Sequence, residues 1–305
     1  GLLVRYSQIG QVVGVIDGCV DDNFVFLLIR RPPRSTRSRS SAASEVYTRQ
    51  HAHLAQSVEE VARARARSGR TPVGYLESLG VLERARGVFA HALYVDRAEM
   101  RALAPRHTLV CCPYGQLIFG FVARLDEWEK SGVRWTVATD CAASNDSMSL
   151  RKELRFASGT RTLGTSYSDV YESFLAGEAS AESVWHDRTE RWNAGGSIAD
   201  PFRLLDRVWS GAGSLHPKVR AGELVPGAVA NLVAWDLDHP AFWPSTQPLT
   251  ALVLGDVDGA IDAMWVGGKP VGEPGNFHRS ILSSPLYLAH REEASGRLAA
   301  LMTRL

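Results

Sequence analysis

The sequence lacks several features that would assign it to a functional class directly. The formal net charge is only +1, from 34 basic and 33 acidic residues, so the overall charge favours neither nucleic acid nor an anionic membrane surface as a partner. No apolar run approaches the roughly 18 residues of a membrane span. The four cysteines form no CxxC pair. We therefore predict a globular protein with reduced thiols, located in the cytoplasm.

An initiator methionine is also missing, because the chain begins at Gly1, and we interpret this start as processed or truncated. The segment RRPPRSTRSRSS, residues 30–41, holds five arginines and no acidic residue. This composition is typical of a solvated loop, and a basic binding arm is disfavoured because no aromatic residue is interleaved. Residues 24–41 also resemble a translated sequencing-adapter remnant, so we interpret residues 1–43 as artefactual or mis-joined and exclude them from the fold prediction.

From residue 44 onwards, strand patterns alternate with helix patterns. Ser57 is a candidate N-cap for the first helix, Thr71-Pro72 begins a second, and Asn145 or Asp146 is a candidate cap for a helix that runs to about Ala157. Alternation of this kind predicts parallel strands joined by crossover helices. The fold class is therefore α/β, with residues 44–220 as half of a TIM-like (β/α) barrel. The predicted strands are Glu45–Leu54, Val88–Ala92, Thr108–Cys112 and Val133–Val137.

The last third of the chain has a different pattern. Asn231–Asp236, Leu249–Leu254 and Ala260–Val266 are predicted strands, and Gly267-Gly268 is a predicted hairpin turn. Residues 221–280 would then form a small β-sandwich-type subdomain. Ser284-Pro285 begins a predicted C-terminal helix over residues 281–305, because proline is tolerated at the first helical position.

Polar residues stand at the ends of three predicted barrel strands. They are His53 in HAHLAQS, His91 in FAHALYVD and Asp140 in VATDCAASND. In a parallel barrel the C-terminal strand ends meet at one mouth, where active sites lie. Imidazole and carboxylate groups ligate Zn²⁺, which lowers the pKa of bound water, and a nearby carboxylate can move the proton. A single histidine at a strand end is more often structural, but the ordered set predicts a hydrolytic metal site.

These segments resemble the amidohydrolase superfamily, in the branch that contains guanine deaminase, methylthioadenosine/adenosylhomocysteine deaminase and the chlorotriazine hydrolases. HLAQS is similar to the HLAE segment of the fifth barrel strand, AHAL to the AHC segment of the sixth, and LVCCPYGQLIFG to the HCPxSNxxL segment of the seventh. TDCAASND is similar to TDGAASNN on the eighth and is the most specific match. GAVANLVAWD resembles the strand that returns to the small β domain. The resemblance covers about residues 44–280.

The resemblance implies the C-terminal half of an enzyme that hydrolyses an amino group on a nitrogen heterocycle with metal-bound hydroxide. It implies one divalent ion, zinc or iron, with His53 as a ligand and Asp140 as ligand and general base. His91 would contact the metal or its water and help to move protons, and Gln56 would bind substrate. The implied partner is a small heterocyclic molecule, and a homo-oligomer is a further expectation.

The sequence departs from the family pattern at four places. No His-x-His pair precedes His51/His53, although such a pair supplies two first-strand ligands in the family. Gln56 replaces the family glutamate, Cys111 replaces a histidine, and Cys141 replaces a glycine. Two alternatives therefore stay open: a catalytically inactive fragment, or a dechlorinating hydrolase as the parent enzyme. We interpret His51 as a buried or interface histidine rather than a ligand.

Overall fold

The computed structural model describes residues 3–5, 49–118, 123–141, 144–145, 147–163, 169–194, 200–216, 219–244 and 246–303. The described residues of 9–211 form one compact unit, and those of 1–8 and 212–305 form a second. We call the first the parallel unit and the second the antiparallel unit, after their sheets. The adapter-like segment, residues 24–41, lies outside the described residues. The predicted domain boundaries near residues 220 and 280 stay predictions.

The described strands form two separate four-stranded sheets, one in each unit. They are β1 (Leu3–Arg5), β2 (Arg49–Leu54), β3 (Arg86–His91), β4 (Thr108–Cys111), β5 (Arg134–Val137), β6 (Leu232–Trp235), β7 (Ile261–Val266) and β8 (Lys269–Val271).

The described helices follow the alternation expected in the parallel unit and continue beyond it. None of them is both long and apolar enough to cross a membrane. They are α1 (Val58–Ser68), α2 (Pro72–Ser78), α3 (Val81–Arg84), α4 (Arg97–Leu103), α5 (Pro113–Ile118), α6 (Leu125–Ser131), α7 (Leu150–Leu163), α8 (Asp169–Leu175), α9 (Ala181–Ala194), α10 (Pro201–Asp206), α11 (Pro248–Leu254), α12 (Phe277–Leu282) and α13 (Pro285–Met302).

The sheet of the parallel unit has the order β2-β3-β4-β5, and every neighbouring pair is parallel. Because each strand is followed by helical crossover structure, the α/β class and the partial (β/α) barrel are confirmed. In the described part of the chain the four strands do not close into a barrel. Large side chains fill the core beneath them, including Phe89, Leu109, Trp128, Trp135 and Leu154.

The first crossover helix begins and ends where local chemistry favours it. The Glu60 N–H donates to Ser57 Oγ at 3.2 Å, so Ser57 caps α1 as expected. Gly69 ends the helix in the left-handed conformation, which costs glycine least. The prediction for α7 was wrong at its start, because the helix begins at Leu150 and Asn145 does not cap it. Asp146 lies outside the described residues.

The β5 edge of the parallel sheet is covered by a π-helical turn, Arg207–Gly211. Thr136 Oγ1 donates to the Arg207 carbonyl at 2.7 Å. The Arg207 guanidinium lies over the Trp135 ring, 4.9 Å from its centroid, and pairs with Glu129 Oε1 at 2.6 Å. The turn therefore packs against side chains of β5, the last strand of the described parallel sheet.

The antiparallel unit is built on the strand order β1-β6-β7-β8. Gly267 and Gly268 have φ values of 59° and 79° and join β7 to β8, as predicted for this hairpin. The predicted strand Leu249–Leu254 was wrong, because this segment is helix α11. A short apolar run fits either element, and Pro248 in the first helical turn favours the helix.

Candidate metal centre

The three polar residues predicted from the strand ends lie side by side at one edge of the parallel sheet. His53 is on β2, His91 ends β3, and Asp140 follows β5. The rings of His53 and His91 are 4.9 Å apart between centroids and meet edge to face. His91 Nε2 lies 3.9 Å from Asp140 Oδ2. The register of β2 on β3 places Leu54 beside His91 and so brings these two strand ends together.

Burial differs among the histidines of this edge. His91 is buried, with only 3% of its surface exposed, whereas His53 is exposed. His51, for which we predicted a buried or interface position, has an exposed side chain. The side chains of residues 51 and 53 lie on the same face of β2, because they are two residues apart, and β2 is an edge strand of the described sheet.

The backbone at this edge adopts conformations that are costly for residues with a Cβ atom. Ala55, His91, Ala92 and Asp140 have φ values of 49°, 72°, 45° and 61°, and they are the non-glycine residues with positive φ in the described chain. Each such residue costs on the order of 1–2 kcal/mol. The Ala92 N–H donates to the Leu54 carbonyl at 2.9 Å and fixes one of these turns. Backbone strain of this kind is concentrated at functional sites.

Electrostatics keep His91 neutral at pH 7. Burial, followed by the nearby His53, lowers the pKa of His91 to about 4, and the Asp140 carboxylate opposes this shift. A neutral imidazole has a lone pair that can ligate a metal or accept a proton. His91 is therefore in the protonation state that metal binding requires.

Cys112 is a further member of this cluster, and the sequence analysis did not find it. The donor atoms of His91, Cys112 and Asp140 all lie within 4.8 Å of one another. Among the described residues, these three form the group of histidine, cysteine and acidic side chains that could hold one metal ion. Cys112 directly follows β4, so it occupies the same kind of strand-end position as the predicted residues. That position was visible in the sequence, but we predicted no ligand role for the Cys112 thiol.

A buried hydrogen-bond network supports the loop that carries Asp140. Asn145 Nδ2 donates to the Thr139 carbonyl at 2.7 Å and to Glu153 Oε1 at 2.6 Å. The Tyr114 N–H donates to Glu153 Oε2 at 2.9 Å. Glu153 thus joins the start of α5, which follows β4, to the loop that follows β5. Burial is the main cause that raises the pKa of Glu153, and the negative charge of Asp140 adds to it.

Hydrogen bonds from backbone N–H groups to carboxylate oxygens fix the positions of Asp140 and Gln56. The Cys141 N–H donates to Asp140 Oδ1 at 2.7 Å, so this oxygen is occupied. The N–H groups of Ala55 and Gln56 donate to the two carboxylate oxygens of Glu60 at 2.8 and 2.7 Å. The carboxylate of Glu60 therefore fixes the turn in which Gln56 stands, at the same edge of the sheet as the cluster.

Comparison with known proteins shows what this chain is similar to. The chain is 26% identical over 243 residues to the 5-methylthioadenosine/S-adenosylhomocysteine deaminase of Aquifex aeolicus, which covers 79% of this chain and 50% of that protein. It is 29% identical over 269 residues to the 8-oxoguanine deaminase of Pseudomonas aeruginosa, over 88% of this chain and 53% of that protein. The chain spans about half the length of the curated relatives it matches.

A solved structure has the same fold. It is an adenosine deaminase from Xanthomonas campestris with bound zinc, with a TM-score of 0.63 and 21% identity, over 85% of this chain and 53% of that chain. Residues 37–178 match the model of the amidohydrolase family. They include β2 to β5 and all the strand-end residues described above. The matched part of the chain, residues 37–178, therefore resembles an amidohydrolase family domain.

Proposed function

We propose that this protein contributes to the metal-dependent hydrolysis of an amino group on a small nitrogen heterocycle, with an aminopurine as the substrate class. The observation that carries the proposal is the convergence of His91, Cys112 and Asp140 donors at the C-terminal edge of a parallel sheet, where barrel enzymes carry their active sites. The names of the two curated relatives support the substrate class, because both are deaminases of purine compounds.

The donor chemistry of this edge fits one divalent ion, and we propose zinc. His91 and Asp140 supply nitrogen and oxygen ligands 3.9 Å apart, and the exposed His53 lies beside His91. These are the ligand types that zinc prefers. The solved relative from Xanthomonas campestris holds zinc. When bound, such an ion makes water nucleophilic at neutral pH.

The side chains of the chain itself account for the proton movements. Asp140 Oδ1 accepts the Cys141 N–H, so Oδ2 is the oxygen that faces His91 and the reaction space. We assign to the Asp140 carboxylate the proton that the attacking water loses, which passes to the departing amino nitrogen and leaves with it as ammonia. His91 is neutral at pH 7, so its Nε2 lone pair is free to hold the metal.

Gln56 is the proposed substrate-binding residue. Its carboxamide both donates and accepts hydrogen bonds but exchanges no proton at neutral pH. We therefore assign it to orientation of the heterocycle and assign no acid or base step to it. The turn that Glu60 fixes gives Gln56 a defined position at the sheet edge.

Purification of the full chain with metal analysis tests the proposal. We expect about one equivalent of zinc and release of ammonia from adenosine-type or guanine-type substrates. Because the chain spans about half of its curated relatives, the competing function is that of a catalytically inactive half. A chain that binds zinc but releases no ammonia from any aminopurine would support that alternative, and a chain without zinc would contradict the proposed metal site.

We also propose a cytoplasmic location, a homo-oligomer, and the absence of nucleic-acid and membrane partners. The adjacent cysteines Cys111 and Cys112 form no disulfide, which is typical of a reducing compartment. The net charge of +1 provides no electrostatic attraction to anionic polymers. Gel filtration with light scattering would measure the oligomeric state, and fractionation of cells would measure the location.

A further inference from the structure

We propose that Cys112 is a metal ligand, and that its thiolate joins His91 and Asp140 to complete a three-residue site. This inference deepens the proposed function and rests on it, because it concerns the same metal. In this chain Cys112 Sγ lies within 4.8 Å of both other donor atoms.

The strand order explains why these three residues meet. His91 ends β3, Cys112 follows β4 and Asp140 follows β5, and these strands are consecutive neighbours in the sheet. Three adjacent parallel strands therefore each contribute one donor at the same level. The Ala138 N–H donates to the Cys111 carbonyl at 2.9 Å and continues the pairing beyond the end of β5. This bond holds the Asp140 loop next to Cys112.

The separations are compatible with a single ion. Donors that bind zinc at about 2.0–2.3 Å in a tetrahedral arrangement lie about 3.3–3.8 Å from one another. The His91 Nε2 to Asp140 Oδ2 distance is 3.9 Å, and no pair of donors in the cluster exceeds 4.8 Å. Side-chain adjustments of about 1 Å or less would therefore complete the site.

A set of one imidazole, one thiolate and one carboxylate has a specific consequence. It provides three protein ligands and leaves a position for water, as catalytic zinc sites do. It also adds a sulfur donor to His91 and Asp140 without a His-x-His pair, which this sequence does not contain before His51. A soft sulfur ligand favours zinc or cobalt over magnesium and calcium. On binding, the Sγ–H bond breaks, the proton passes to solvent and a sulfur–metal bond forms.

The neighbouring Cys111 provides a matched control within the same chain. Both cysteines are buried at the end of β4. Successive side chains of a strand point in opposite directions, and Cys111 Sγ donates to Gln116 Oε1 at 3.5 Å. Cys111 is not a member of the donor cluster. Replacement of either thiol by serine makes the same chemical change on opposite sides of the strand.

Cobalt(II) substitution of the full chain tests this inference directly. Thiolate ligation gives a sulfur-to-cobalt charge-transfer band in the near ultraviolet, which nitrogen and oxygen ligands do not produce. We expect this band in the wild type and in Cys111→Ser, and its loss in Cys112→Ser and Cys112→Ala. We also expect cobalt affinity to fall by at least about 10–100-fold in the two Cys112 variants, because loss of an outer-shell partner alone has this effect.

The outcomes separate this inference from the proposed function. Cobalt bound with visible ligand-field bands but no sulfur band in the wild type overturns the thiolate ligand and leaves the His91–Asp140 metal site standing. A sulfur band that survives in Cys112→Ser, or that is lost in Cys141→Ser instead, also overturns it. Failure to bind cobalt overturns both proposals. Because a wild-type spectrum without a sulfur band would overturn the inference, it stays falsifiable if a Cys112 variant does not fold.

Discussion

The two units of this protein differ in whether they bury polar side chains. All the buried polar or charged residues of the described chain lie in the parallel unit, and several of them surround the candidate metal centre. In the described part of the antiparallel unit, polar side chains are at least partly exposed. The buried polar or charged residues of the parallel unit are His91, His107, Thr108, Gln116, Thr136, Asn145, Glu153 and Thr160.

The backbone shows the same contrast. In the described antiparallel unit, positive φ values occur only at glycines, such as Gly267 and Gly268, where they cost little. In the parallel unit, His91 and Asp140 adopt them despite their side chains. Burial of polar groups and backbone strain both lower stability. Their accumulation at one edge indicates that the positions of the side chains there are required for function, at a cost in stability. The antiparallel unit shows no such cost among its described residues.

Replacement of Asp140 should produce the largest effect. Asp140→Asn removes both a metal ligand and the proposed base, so we expect kcat/KM for ammonia release to fall by about 10²–10⁴-fold, with loss of bound zinc. Asp256→Asn is the control, because Asp256 is exposed and lies in the antiparallel unit. Near-normal turnover in Asp140→Asn, or equal losses in both variants, would contradict the assignment.

Replacement of Glu153 should destabilise the fold. In Glu153→Gln one carboxylate oxygen becomes an N–H₂ donor, so either the Tyr114 N–H or the Asn145 amide loses its acceptor. An unsatisfied buried partner costs about 1–3 kcal/mol. The free energy of unfolding from urea titration measures this loss. Glu293→Gln, at an exposed position on α13 paired with Arg297, should change it by less than about 0.5 kcal/mol. Equal changes in the free energy of unfolding in both variants would contradict the contrast between the two units.

A pH effect should also originate in the parallel unit. His107 Nδ1 accepts the Gly87 N–H at 2.8 Å, and Nε2 lies 3.2 Å from the Leu82 carbonyl, so the buried ring is neutral. Burial lowers the pKa of His107 in the fold, whereas the unfolded chain binds a proton near pH 6.5. The stability that His107 contributes is therefore complete above about pH 6.5 and is lost as the pH falls from there towards the lower pKa of the fold.

Melting temperatures measured from pH 8 to pH 5 would show this loss. In His107→Gln, which cannot titrate in this range, the decline should be shallower than in the wild type. The difference between the two curves removes contributions from other histidines, including His51 and His91, whose pKa values are also lowered. Parallel curves would show that His107 does not contribute.

Glycine-to-alanine substitutions in helices should have the smallest effect on stability, and the effect should be equal in the two units. Gly159 on α7 and Gly296 on α13 have no heavy atom within 4 Å of an added Cβ. Alanine at either position should stabilise its helix by about 0.5–1 kcal/mol, because glycine has the greater conformational entropy to lose. Melting temperatures of both variants would measure this. A gain in only one unit would show that the units differ in their helices as well as in their buried polar groups.

Much of the parallel unit could be predicted from the sequence because its signals are local. Ser57 caps α1, the period-two pattern of Val133–Val137 marks β5, and the histidines and aspartate stand directly after apolar runs. Local signals failed at α11, where a short apolar run fits either element. They also failed at Asn145, whose partner Glu153 is a buried residue of the next helix.

The sequence by itself determined the alternation of elements, the family resemblance and the identity of His53, His91 and Asp140, since each depends on residues close together in the chain. Only the tertiary structure decided that Cys112 joins His91 and Asp140, and that Glu153 supports the loop of Asp140. These contacts join separate strands and helices. They depend on strand order and register, which are set by packing across the whole sheet.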